Sequence, residues 1–162
     1  MKELMFSRVY PAYHSKKGQP THFVEKIYAA LSDTKSEFKI PNIANEFWDF
    51  QTYYNCVFPK HHTIRAGQRW KEGEFFTPKV WTGEPYKSKK QIIYDFLKIE
   101  KVYAFRFDPG SNHFLIDDVI VGDCKVAEIF NNDGLDVLDA LIWLKYPKSF
   151  NGQIICWTNV KY

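Results

Sequence analysis

The chain has 162 residues, 45% of them apolar and 25% charged, and it carries a formal net charge of +3. These values exclude a disordered or collagen-like polymer and a small disulfide scaffold, and they predict a single domain over residues 1–162. Aromatic residues reach 18%, a content that suits a tightly packed β-rich core and also a surface that stacks on bases.

The three cysteines, Cys56, Cys124 and Cys156, form no CxxC pair and read as reduced thiols. No apolar run is long enough for a membrane span. The opening residues Met1 to Phe6 lack a hydrophobic signal core, so the expected location is the cytoplasm, with no membrane partner.

Taken in chain order, Glu3 to Tyr10 predicts a first strand ended by Pro11, and His14 to Pro20 a polar loop with two breakers. Thr21 is a candidate cap for a helix whose buried face holds Phe23, Ile27, Ala30 and Leu31. A second helical spacing runs from Asn42 to Tyr54. His61 to Arg65 is extended, Gly67 to Gly73 is a turn region, and Glu74 to Trp81 is a strand whose internal Pro78 predicts an edge or a bulge. Lys90 to Phe107 fits one long strand, or two with a bend at residues 98–101. Phe114 to Val121 fits a further strand. Cys124 to Phe130 and Leu135 to Leu144 read as short helices joined by Asn131-Asn132-Asp133-Gly134. Asn151-Gly152 reads as a turn before a closing strand, Ile154 to Val160. Five or six strands with peripheral helices predict an α+β fold built on a small mixed β-barrel.

Charge is unevenly placed. From Lys60 to Lys90 there are eight Lys or Arg against Glu72, Glu74 and Glu84, whereas Asp108 to Asp139 holds eight acids and one base. A concentrated basic stretch attracts phosphates within a Debye length. No phosphate loop, nucleophile elbow or dinucleotide fingerprint occurs, and His61 and His62 face opposite sides of a strand, so neither metal nor cofactor is expected.

The densest run of chemistry is Lys60-His61-His62-Thr63-Ile64-Arg65, followed by a turn that ends at Gly73. Strict strand alternation sets Lys60 and Thr63 on opposite faces. A bend beside Pro59 would bring Lys60, Thr63 and Arg65 to one hollow. A lysine in an apolar cavity loses basicity through desolvation, so it can serve as a base toward a threonine hydroxyl or a water. A carboxylate can serve the leaving amine, and Arg65 can neutralise developing negative charge.

The Lys-x-x-Thr-Ile-Arg run and its following turn resemble the ASCH domain, a PUA-like β-barrel associated with RNA or nucleoside ligands. The resemblance extends to the small bacterial amidohydrolases that deacetylate N(4)-acetylcytidine. It implies Lys60 and Thr63 as the catalytic pair. The family's third member is a Glu before a late helix; Asn131 occupies that alignment position here, and Asp133 is the nearest carboxylate before the helix. Beside what the resemblance implies, His62, Arg65, Arg69, Lys71 and Trp81 are the candidate ligand contacts. The expected function is binding of RNA, a nucleoside or a nucleotide in a basic cleft. Removal of an acyl group from a modified cytidine is the alternative, and a protein-interaction domain with an exposed aromatic patch is a third.

Overall fold

A computed structural model describes residues 1–41 and 48–162. Two sheets make up its β structure. The first holds β1 (Lys2–Phe6), β3 (Phe75–Trp81), β4 (Lys90–Ile92) and β5 (Leu97–Lys98). The second runs in the order β2 (His62–Ala66), β9 (Phe150–Cys156), β6 (Lys101–Asp108), β7 (His113–Ile116) and β8 (Val119–Val121). Helices α1 (Phe23–Thr34), α2 (Phe50–Tyr54), α3 (Asp123–Asn132) and α4 (Val137–Trp143) complete the chain. The α+β class holds. The barrel does not close: among the described residues, no ladder joins β1 to β2.

β1 pairs with β3 in parallel, with Leu4 opposite Pro78. Pro78 therefore sits inside a central strand, contrary to the edge or bulge expected from the sequence. The sheet accommodates it because β4 ends at Ile92 and β5 starts at Leu97, so Pro78 faces the gap between them. No ladder N–H is needed there, and its carbonyl accepts from the Ile93 N–H at 2.8 Å.

Other boundaries also differ. Residues 90–107 divide into three strands. Phe114–Val121 is a hairpin, because Asp117 and Asp118 both take left-handed backbone angles (φ 47 and 64) and turn the chain between β7 and β8. Of the helix expected from Asn42, residues 42–47 lie outside the described residues. The helical turn itself begins at Phe50, capped by Asp49, whose carboxylate accepts the Thr52 N–H. Thr21 is not the formal cap of α1, yet its hydroxyl donates to the Ser7 carbonyl at 2.7 Å and receives the Phe23 N–H. The α1 face expected from the sequence is buried in full.

Asn151-Gly152 lies inside β9 rather than in a turn, and Gly152 is there for closeness. A Cβ at this position would come within 2.1 Å of the Arg65 carbonyl oxygen on β2. Gly152→Ala is expected to force β2 off β9 and to cost about 1–3 kcal/mol, read as a lower denaturation midpoint in urea. An unchanged midpoint would contradict this close approach.

Candidate functional site

Asp133 follows α3 and caps its C-terminus. Gly134, with φ 81, takes the left-handed position, the Leu135 N–H donates to the Phe130 carbonyl and the Gly134 N–H to that of Asn131. This sharp reversal aims the Asp133 side chain at the start of β2, where Lys60 and Asp133 form an isolated antiparallel bridge. The Lys60 ammonium donates to the Asp133 carboxylate and, at 2.5 Å, to the Asp133 carbonyl. It also lies 4.2 Å from the centre of the Phe23 ring and 5.8 Å from that of Phe6. Lys60 is 1% exposed and Asp133 8%, so the ion pair is buried.

Arg65 reaches the same neighbourhood. Its guanidinium carbon stands 5.3 Å over the Phe6 ring, and Nη2 donates to the Met5 carbonyl at 2.6 Å. Lys60 and Arg65 thus meet at one ring although strict alternation would oppose them, which places a bend after Pro59. His62 takes the other side. It is wholly buried, and its Nδ1 lies 2.7 Å from the Tyr162 hydroxyl. Asn132 Nδ2 donates to that same hydroxyl oxygen at 3.0 Å.

Burial dominates the electrostatics. Desolvation pulls Lys60 down to about 8 despite Asp133, and pushes Asp133 upward against the pull of Lys60, Arg65 and the Ile64 N–H. Burial also lowers Arg65 and holds His62 well below the usual imidazole range, so His62 is neutral. When all three are ionised, Lys60, Arg65 and Asp133 leave one uncompensated positive charge in a low-dielectric setting.

A cleft of about 440 Å³ opens beside this cluster, lined by Lys2, Glu3, Leu4, Met5, Arg65, Arg69 and Trp70. Its acids are occupied. Glu3 is held at about 2 by Lys79 and Lys90, and Glu74 beside it takes the Lys2 ammonium at 2.8 Å. The turn after β2 is braced by Gln153, whose amide accepts the Trp70 N–H and donates to the Trp70 carbonyl, both at 3.0 Å. Lys2 adds a bond to the Arg69 carbonyl at 3.0 Å. Among the described residues, the Arg69 side chain has no ion-pair partner and Arg65 Nε no hydrogen-bond partner.

The residues expected from sequence therefore divide. Lys60 and Asp133 form the buried pair, and Arg65 links that pair to the cleft, with Arg69 on the cleft wall. Thr63 is buried, and among the described residues its hydroxyl makes no hydrogen bond to Lys60 or Asp133. His62 is turned toward Tyr162 and does not line the cleft, because the alternation it shares with Ile64 directs it away from Arg65. Trp81 stacks near Tyr86 and Lys90 on the first sheet, also away from the cleft lining. Lys71 contributes its N–H to Glu74 and is exposed. Part of the basic stretch is neutralised: Lys79 and Lys90 are spent on Glu3, and Lys87 on Glu84. Sequence reasoning missed the β1 wall and Gln153, since nothing local marks a pairing across more than seventy positions.

Among the described residues, no helix is long and apolar enough to cross a membrane, and no group of three or more His, Cys, Asp or Glu is placed to hold a metal ion. Comparison of the chain with protein-family models, curated proteins and solved structures gives no match.

Removing one partner of the buried pair is expected to cost about 3–5 kcal/mol, so Lys60→Met and Asp133→Asn each destabilise strongly while Lys60→Met/Asp133→Leu recovers much of the loss. Lys60 has a folded pKa below its ordinary 10.5, so the unfolded chain holds the extra proton between about pH 8 and 10.5. Stability of the native chain relative to Lys60→Met should therefore rise across that window. Urea melts at pH 7 and pH 10 check both statements, and a difference that falls with pH would contradict the assignment.

Proposed function

We propose that the protein binds a nucleotide, free or within RNA, through the cleft between β1 and the turn after β2, with Arg65 and Arg69 taking the phosphate. One observation carries the reading. Arg65, half-buried beside the Lys60–Asp133 pair, presents a cation to a cleft whose nearby carboxylates are already paired. A guanidinium in such a setting recognises phosphate oxygens in a fork geometry, and the reduced dielectric strengthens the attraction. Trp70 supplies an aromatic surface in the same wall, of the kind on which bases stack. The cleft lies within the usual size range of small-molecule sites. The ASCH-like Lys-x-x-Thr-Ile-Arg run supports the same ligand class.

A second reading, amide hydrolysis on an acylated cytidine, is favoured by the ion pair itself. Lys60 is the resemblance's base, and Asp133 stands against it in place of the family's Glu. A turnover route needs the Lys60 amine on the Thr63 hydroxyl or on an attacking water, whereas its donors here go to the Asp133 carbonyl and carboxylate. Binding is therefore the reading the geometry favours.

Titration calorimetry with uridine 5′-monophosphate and fluorescence anisotropy with an oligouridylate test the proposal. Arg65→Ala is expected to weaken both ligands tenfold or more. Arg69→Ala should weaken them and reduce the dependence of log K on log salt by roughly one unit for the lost phosphate contact. Wild-type affinity in both variants would overturn the reading. Incubation with N(4)-acetylcytidine between pH 6 and 9 should yield no cytidine. Release that disappears in Thr63→Ala would establish the hydrolase instead.

A further inference from the structure

The wall of the cleft opposite Arg65 is the free edge of β1, and the register fixes which of its peptide groups face outward. The Pro78 carbonyl accepts from Ile93, so even-numbered residues of β3 turn their peptide groups toward β4 and β5, and odd-numbered ones toward β1. In a parallel ladder a residue bonds to the two neighbours of its partner. Leu4 is opposite Pro78, so Lys2, Leu4 and Phe6 bond to β3. Glu3 and Met5 must then face the other way. The Met5 carbonyl confirms that parity independently, since it accepts from Arg65 on the far side of the seam.

Among the described residues, no backbone group outside β3 satisfies the N–H of Glu3, the C=O of Glu3 or the N–H of Met5. Unsatisfied peptide groups at a strand edge are strong, fixed hydrogen-bonding sites. Here they line a cleft whose opposite wall carries two arginines.

We infer that the outer edge of β1 is the base-reading wall of this cleft: the Glu3 N–H and C=O pair with the adjacent acceptor and donor of a nucleobase whose phosphate lies on Arg65 and Arg69. The inference rests on the nucleotide reading above and adds the part of the ligand that β1 recognises. An added peptide strand is the other occupant a free edge invites. The geometry disfavours it, because Arg65 already occupies the Met5 carbonyl and leaves little more than one residue of open edge.

The test separates the N–H from the side chain. Glu3→Ala removes the carboxylate and keeps the N–H, so it is the reference. Glu3→Pro removes both, at an edge position where proline is tolerated. Glu3→Pro is expected to bind uridine 5′-monophosphate at least tenfold more weakly than Glu3→Ala, with equal affinity of the two for ribose 5-phosphate. A ligand-side measurement needs no variant. On the wild-type chain, 3-methyluridine 5′-monophosphate, which lacks the N3 donor, should bind at least tenfold more weakly than the unmethylated nucleotide.

Equal affinity for the methylated and unmethylated nucleotides, or for uridine 5′-monophosphate and ribose 5-phosphate, would overturn the base-reading wall and leave the phosphate site standing. Displacement of the nucleotide by a short alternating Val-Thr peptide would overturn it in favour of strand addition. No binding of any of these nucleotides would overturn both readings.

Discussion

The Asp133 carboxylate, buried against Lys60, is the constraint on which the arrangement of this molecule turns. It stands at the outer edge of β2, where the Ile64 N–H also helps stabilise its charge, and so it occupies space that a neighbouring strand would take in a closed barrel. Across the same opening, Arg65 reaches the Met5 carbonyl on β1. Two side chains thus cap polar edges that elsewhere would pair backbone to backbone. The sheets approach without merging, and the cleft is the opening that remains between them.

Desolvation makes this arrangement expensive, and the surroundings show how the cost is offset. The Lys60 ammonium receives a carboxylate, a carbonyl and an aromatic face. Asp133 is held by a Schellman turn that needs Gly134, whose own Cβ position would crowd Lys60 Cβ at 3.3 Å. Arg65 is less well served, with a buried Nε that has no partner among the described residues.

Local patterns fixed much of this in advance. The face of α1 followed from the spacing of Phe23, Ile27 and Leu31, and β2 and β3 followed from their β-rich runs. The pairing of Lys60 with Asp133 came from the resemblance carried by Lys-x-x-Thr-Ile-Arg and the carboxylate before a late helix, not from periodicity. What escaped were tertiary effects. Asn151-Gly152 has the composition of a turn, but its glycine exists to let β2 approach. The run from Phe114 to Val121 hides a hairpin because two aspartates, rather than Asn-Gly, take the left-handed angles. The parallel match of β1 with β3 lies beyond any local signal, and with it the wall of the cleft.

The most direct measurement of the central claim is a map of backbone amide shifts in the isotopically labelled chain on addition of uridine 5′-monophosphate. The account requires the largest saturable shifts at Glu3 and Met5 on one wall and from Arg65 through Trp70 on the other. Shifts confined to another surface, such as the groove of Phe107, Phe114 and Tyr146 against α3 and α4, would contradict it.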